Sequence, residues 1–197
     1  MGWQLHCHPL GETMPRSYRV VRDTNYAYFV TCSVVDWLPL FDKASYRQII
    51  LDSLAYLREH KSTQLNAFVV MSTHMHAVLW PKNGVDVSDV LRDFKRHTSR
   101  SISREAVQQG HNDYLQAFAA ARSSFRIGRA DYQVWQESSH PEAIYDDDFA
   151  RQKIEYIHNN PVKSGLVSKA EDWLYSSARA YLLREATFPP TDIMDLR

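Results

Sequence analysis

The chain has 197 residues, of which 44% are hydrophobic and 23% are charged, with only 6 Gly and 8 Pro. This composition excludes disordered, collagen-like and low-complexity classes, and the length fits one domain with a sizeable core. Because the 23 basic and 23 acidic residues cancel, any site for a polyanion has to be a local feature of the surface.

The cysteine content and the N-terminus indicate a cytoplasmic protein. Cys7 and Cys32 are too few and too far apart for a disulfide framework. The first 18 residues have the character of a terminal arm and lack the charged and apolar regions of a secretory signal. The longest uncharged run, residues 62–81, is interrupted by polar side chains. We therefore expect no membrane span.

The first half of the chain predicts a strand, a helix and a hairpin. Residues 26–35, YAYFVTCSVV, are dense in aromatic and β-branched side chains, which is typical of a strand. In residues 42–60 the apolar positions recur every three or four residues, as in an amphipathic helix. Residues 65–71 and 74–80 are short apolar segments joined by a tight turn, which predicts a β-hairpin.

The second half predicts two more helices and a strand. Residues 88–107 carry a helical apolar stripe surrounded by basic side chains. A short strand is expected at residues 132–136. Residues 146–160 form a helix that Pro161 is expected to end, because the residue before a proline disfavours the α conformation. The order β-α-β-β-α-β-α predicts an α+β fold in which helices cover an antiparallel sheet.

Two histidines flank Met75 in the second strand of the hairpin. Since successive side chains of a strand point to opposite faces, His74 and His76 point the same way and lie within reach of one metal ion, while Met75 enters the core. The alternative is that both are ordinary polar residues on a half-buried face.

Tyr156 and Asn160 lie four residues apart on one face of the last predicted helix. The helix can pack through Ala150, Ile154 and Ile157 while it displays a phenol beside an amide. The predicted C-terminus of the helix at Asn160 favours a cation, and an amide oxygen suits a hard ion. The alternative is that Tyr156 only packs the helix and Asn160 only caps it.

The strongest local basic run lies in the helix predicted at residues 88–107. Such a run can hold the phosphates of a single strand, or it can be a solvated helix face. The candidate nucleic-acid-binding residues are Arg92, Lys95, Arg96, Arg100, Arg104 and Lys163.

Several landmarks together resemble one protein family. HMH at residues 74–76 follows an apolar strand, YIHNNPVKSGLV begins at Tyr156, and DWLYSSARAY begins at Asp172. Their order and spacing are similar to the single-tyrosine transposases of the IS200 type, and specifically to the REP-associated tyrosine transposases. FVTCSVVDWLPLF at residues 29–41 resembles that branch too, so the resemblance covers about residues 20–181.

The resemblance implies a fold and a division of the chain. The fold is a ferredoxin-like antiparallel sheet covered by helices, the two-layer sandwich of HUH-type endonucleases. Residues 1–18 would be an N-terminal arm, residues 19–167 the catalytic domain, and residues 168–197 a C-terminal extension that packs on the core.

The resemblance also implies roles for individual residues. His74, His76 and Asn160 match the family's ligands for Mg²⁺ or Mn²⁺, and Tyr156 matches its nucleophile. The implied activity is that of a metal-dependent transposase, which cuts single-stranded DNA at hairpin-forming repeats and transfers the strand through a 5′-phosphotyrosine intermediate. Thr73 stands where many relatives have Asn or Glu, so the resemblance does not imply which side chains hold the two histidines in place.

Two further functions are compatible with these residues. One is a catalytically retired protein that binds DNA repeats or RNA hairpins. The other is a metal-dependent hydrolase on another small fold, with water as the nucleophile. A monomer and a homodimer are both compatible with the sequence.

Overall fold

A four-stranded antiparallel sheet forms the centre of the computed structural model, which describes residues 26–122, 132–137 and 140–196. The strands are β1 (Ala27–Ser33), β2 (Thr63–Val70), β3 (His74–Pro81) and β4 (Glu142–Ile144). Their spatial order is β2-β3-β1-β4, the arrangement of a ferredoxin-like β-α-β-β-α-β unit. The predicted α+β class and the predicted hairpin of β2 and β3 are confirmed.

Five α-helices lie in the described part of the chain. They are α1 (Ala44–His60), α2 (Val87–Gln108), α3 (Asn112–Ala120), α4 (Asp147–Lys163) and α5 (Ala178–Leu182). Short 3₁₀ turns occur at Val35–Trp37, Leu40–Asp42 and Ala170–Asp172. The sequence predicts α1, α2 and α4 but not α3, whose nine residues bury only Phe118 and so show little periodicity.

Helices cover both faces of the sheet. On one face, here called the α1–α2 face, strand residues such as Val30, Cys32 and Met75 join one core cluster with α1, α2 and α3. On the other, here called the α4 face, Ala67 and Val78 pack against α4. The apolar stripe predicted for α4 is buried in this second cluster, which contains Ala150, Ile154 and Ile157. Because side chains alternate along each strand, the two faces of the sheet contribute to two separate hydrophobic cores.

The expected end of the tyrosine helix at Asn160 is wrong. Pro161 lies inside α4, which continues to Lys163. Gly165 ends the helix with a φ of 71°, the left-handed conformation that glycine adopts readily. Gly165 N donates to Val162 O, and Leu166 N donates to Pro161 O, at 2.9 and 3.0 Å. These two hydrogen bonds form a Schellman cap, so the helix end is set by glycine rather than by proline.

The prediction of a strand at residues 132–136 is also wrong, because this segment is not part of the sheet. This segment makes only an isolated bridge between Trp135 and Val34. The Trp135 indole donates to Thr98 Oγ1 on α2 at 2.9 Å and is directed into the core. The fourth strand is β4, whose three residues are too few to produce a periodic signal.

The chain after α4 follows the outer edge of β2. Ser176 bridges Val69, and the Trp173 indole donates to Val70 O at 3.1 Å. Further along, Asp192 accepts hydrogen bonds from Leu65 N and from the Arg58 guanidinium. These contacts occupy backbone groups that an edge strand otherwise leaves open.

The predicted N-terminal arm, residues 1–18, lies outside the described residues, and the proposed domain boundaries stay a prediction. None of the helices in the described ranges combines the length and the hydrophobicity that crossing a bilayer requires.

Candidate active site

The register of β1 and β3 puts both histidines on the α4 face. His74 pairs with Ser33, and His76 pairs with Thr31. Met75 between them is 1% exposed and belongs to the core of the α1–α2 face. The two imidazole centroids are 4.8 Å apart, so the alternation of strand side chains brings them together as the sequence predicts.

Threonine hydroxyls orient the two imidazoles. Thr31 Oγ1 lies 2.8 Å from His76 Nδ1, and Thr73 Oγ1 lies 3.0 Å from His74 Nδ1. When Nδ1–H donates to the hydroxyl, the Nε2 lone pair is available to a metal ion. Thr73, the residue directly before His74, therefore supports this histidine through its hydroxyl.

Burial keeps both histidines neutral. Desolvation lowers the pKa of His74. It lowers the pKa of His76 further, to about 3, with smaller contributions from the charges of His74 and Lys153. A neutral imidazole is the form that binds a metal, and a cation nearby disfavours the protonated form.

Tyr156 projects from α4 onto this pair. Its hydroxyl lies 3.5 Å from His76 Nε2, and the two ring centroids are 5.2 Å apart. Phe29 of β1 stacks on His76 at 5.3 Å and meets the edge of the Tyr156 ring at 5.9 Å. These ring contacts hold the phenol in place. Because Tyr156 is 40% exposed, its hydroxyl also remains accessible to a substrate.

Asn160 lies one helical turn after Tyr156 and is half-buried. Its backbone carbonyl accepts a hydrogen bond from Ser164 N at 3.0 Å, and its side-chain amide lies on the helix face that carries Tyr156. Within the described ranges no cluster of three or more His, Cys, Asp or Glu side chains could hold a metal. An amide from α4 is therefore the candidate to complete a site with His74 and His76.

Two lysines of α4 place positive charge at the site. Lys163 Nζ is 5.8 Å from the centroid of the Tyr156 ring. Lys153 Nζ is 4.5 Å from the centroid of Phe29 and forms a 2.6 Å ion pair with Glu142 of β4. The sequence predicts a role for Lys163 but misses Lys153, although its position three residues before Tyr156 places it on the same helix face.

The basic residues of α2 lie elsewhere. This helix packs on the α1–α2 face, across the sheet from Tyr156. Arg92 and Arg96 form ion pairs with Asp89 and Asp93 of their own helix. The five α2 candidates that the structure does not bring to the histidines are Arg92, Lys95, Arg96, Arg100 and Arg104. Their contact with nucleic acid stays a prediction, because periodicity identifies the buried stripe of a helix but not the sheet face that it covers.

Phe29 and Thr31 are functional neighbours that sequence reasoning misses. Both lie on β1 with the spacing of two that places side chains on one face. The spacing is visible in the sequence, but the strand pairing that sets Thr31 beside His76 is not.

Comparisons with known proteins identify the family of the chain. A family model described as IS200-like transposase matches residues 27–137. The chain is 27% identical, over 120 residues or 60% of its length, to a Haemophilus influenzae protein named as a REP-associated tyrosine transposase. Over 130 residues, 66% of the chain, it is 22% identical to the REP-associated tyrosine transposase of Escherichia coli. The matched regions span 61% and 63% of these two relatives.

A solved structure has a similar fold. It is a REP-associated tyrosine transposase bound to a REP hairpin, with a TM-score of 0.59 and 19% sequence identity. The alignment covers 94% of the present chain and 95% of the other. The similarity therefore extends over the sheet, α4 and the segment along the edge of β2.

Proposed function

Because the chain belongs to the IS200-like transposase family, we propose that it is an HUH-type, metal-dependent single-stranded DNA endonuclease and strand transferase that cuts at hairpin-forming repeats. The observation that carries the proposal is the 3.5 Å approach of the Tyr156 hydroxyl to His76 Nε2, beside His74. This geometry supports the proposal, because a phenol hydroxyl and two imidazoles lie around a single point on the α4 face.

The side chains fit Mg²⁺ or Mn²⁺ held by His74, His76 and Asn160. Both imidazoles are neutral and have an Nδ1 partner, and an amide oxygen is a suitable hard donor. When bound, the ion would polarise a phosphate and offset the negative charge that develops on it. A phenol, with an ordinary pKa near 10, needs such help to attack at neutral pH.

The chemistry of the chain's own residues is nucleophilic displacement at phosphorus. The Tyr156 hydroxyl gives its proton to solvent water as its oxygen forms a bond to the phosphorus. The bond from phosphorus to the 3′ oxygen breaks, and that oxygen takes up a proton from solvent water and leaves as a hydroxyl. The product is a 5′-phosphotyrosine link. A 3′-hydroxyl of another strand can reverse the step, so the phosphodiester is rejoined without ATP.

The proposed partner is single-stranded DNA with hairpin repeats, and the proposed assembly is a monomer. The similar solved transposase is bound to a REP hairpin, which supports a hairpin repeat as the substrate of this chain. Tyr156 and His76 approach each other within one chain, which supports a monomer that carries the complete site. The cytoplasm remains the expected compartment.

A cleavage assay tests this function. Single-stranded oligonucleotides containing the hairpin repeats that flank the coding sequence are end-labelled and incubated with Mn²⁺ or with EDTA. We expect Mn²⁺-dependent cleavage that Tyr156→Phe abolishes while DNA binding is retained. Tyr145→Phe is the matched control, because Tyr145 is an exposed tyrosine just before α4. Equal cleavage by Tyr156→Phe would remove Tyr156 from the mechanism, and binding without cleavage by the unaltered protein would favour the retired repeat-binding protein.

A further inference from the structure

Trp37 presents an exposed indole beside the candidate metal ligands. Its side chain is 58% exposed, and its ring centroid is 6.2 Å from that of His74 at an interplanar angle of 78°. Exposed apolar residues are common on protein surfaces, so exposure alone carries no functional meaning. The position of this one, at the edge of the site, calls for a physical reason.

The backbone at Trp37 is strained. Asp36 and Trp37 have φ angles of 52° and 53°, a left-handed conformation that is unfavourable for residues with a Cβ atom. On either side, Val35 and Leu40 are buried in the core. Two consecutive strained residues thus turn the chain outward between two anchors. Strain that a structure maintains in this way is concentrated at functional sites.

The loop is fixed to the turn that precedes His74. Val34 N donates to Thr73 O and Phe41 N donates to Ser72 O, both at 2.9 Å. Two backbone hydrogen bonds therefore join the loop that carries Trp37 to the turn that leads into His74. The backbone that carries the indole is thereby connected directly to the turn that carries the imidazole.

We propose that Trp37 is a stacking platform for the nucleobase next to the scissile phosphate of a single-stranded DNA substrate. The inference rests on the proposed function, since it assumes that the phosphate lies at His74, His76 and Tyr156. Single-strand binders hold bases on exposed aromatic rings, and a rigid tryptophan offers a large flat surface. Stacking is tolerant of base identity, so Trp37 sets the position of the strand while base-specific contacts come from elsewhere.

Equilibrium binding with matched variants tests the platform. Each variant is made in the Tyr156→Phe background so that binding is measured without cleavage, and its fold is checked by circular dichroism and thermal unfolding. The probe is a fluorescent single-stranded hairpin repeat from the flanking DNA, together with a series carrying one abasic nucleotide at successive positions. Leu182→Ala is the control, because Leu182 is 56% exposed but lies at the end of α5.

A stacking role predicts a specific pattern of affinities. Trp37→Ala should weaken binding by about 5- to 150-fold, and Trp37→Phe should retain most of the affinity. One abasic position next to the cleavage site should weaken binding to proteins with Trp37 but cause no further loss in Trp37→Ala. Leu182→Ala should bind all probes as its parent does. Unchanged affinity of a folded Trp37→Ala variant, or an equal loss on every abasic probe, would overturn the platform.

The proposed function is tested separately, by measuring whether protein that retains Tyr156 forms a covalent adduct with the DNA. An adduct together with no effect of Trp37→Ala would overturn the platform alone. Absence of both adduct and single-strand binding would overturn the proposed function and the platform together.

Discussion

Lowering the pH should destabilise the helix that carries Tyr156 through a buried histidine on its opposite side. His158 is 6% exposed, and its Nε2 lies 2.9 Å from Ser177 Oγ. Ser177 Oγ in turn accepts from Phe68 N of β2 at 2.9 Å. The centroid of the Tyr181 ring lies 5.1 Å from that of the His158 imidazole. The neutral imidazole therefore links α4 to the chain along the edge of β2, and a charged imidazole would be poorly solvated there.

The size of the effect follows from the pKa of His158, which burial lowers to about 4 from the usual 6.5. Between about pH 6.5 and about pH 4 the unfolded chain binds more protons than the folded protein, so the free energy of unfolding falls as the pH drops. A pKa difference of about 2.5, at about 1.36 kcal/mol for each pKa unit, corresponds to a loss of about 3 kcal/mol by pH 4. About 2 kcal/mol of this is lost by pH 5.

Urea unfolding at pH 7.5, 6, 5 and 4.5 measures this loss, with His158→Gln as the comparison. His74 and His76 also have lowered pKa values, but both are present in the two proteins, so the difference between the curves isolates His158. We expect the free energy of unfolding to fall more steeply in the unaltered protein, by about 2 kcal/mol between pH 7.5 and pH 5. Parallel curves for the two proteins would refute the role assigned to the neutral imidazole.

Two further predictions concern metal and DNA binding. His76→Ala should lose Mn²⁺ binding and cleavage together, as measured by calorimetry and by the cleavage assay, whereas the exposed His60→Ala should keep both; undiminished Mn²⁺ binding by His76→Ala would defeat the ligand assignment. Lys163→Ala should reduce the slope of log affinity against log salt concentration by about 0.7, the value for one phosphate contact of a single strand. Arg96→Ala combined with Arg100→Ala should also flatten that slope if α2 contacts the strand, and an unchanged slope would place the interface entirely on the α4 face.

Much of the fold could be predicted because hydrophobic period separates helices from strands. The lengths of α1 and α2 and the β2–β3 hairpin are visible in this way. Local rules were less reliable at chain ends and short elements. At the end of α4, Pro161 is tolerated inside the last turns, and the decisive residue is Gly165, whose Schellman hydrogen bonds depend on the fold of the following chain.

The candidate site was predictable where it depends on spacing along one element. Alternation places His74 and His76 together, and a spacing of four places Tyr156 and Asn160 on one helix face. The approach of α4 to β3 came from the family resemblance, because neither spacing reveals that two distant segments meet. Thr31, which orients His76, depends on a strand register that no local pattern in the sequence specifies.

Intact-protein mass spectrometry tests the central claim most directly. The protein is incubated with Mn²⁺ and single-stranded hairpin repeats from its flanking DNA, alongside Tyr156→Phe, and any adduct is digested to locate the modified residue. The account predicts a mass increase equal to one cleaved DNA fragment, located on Tyr156 and absent from the variant. Cleavage without any protein-linked fragment would contradict it and would indicate a hydrolase that uses water as the nucleophile.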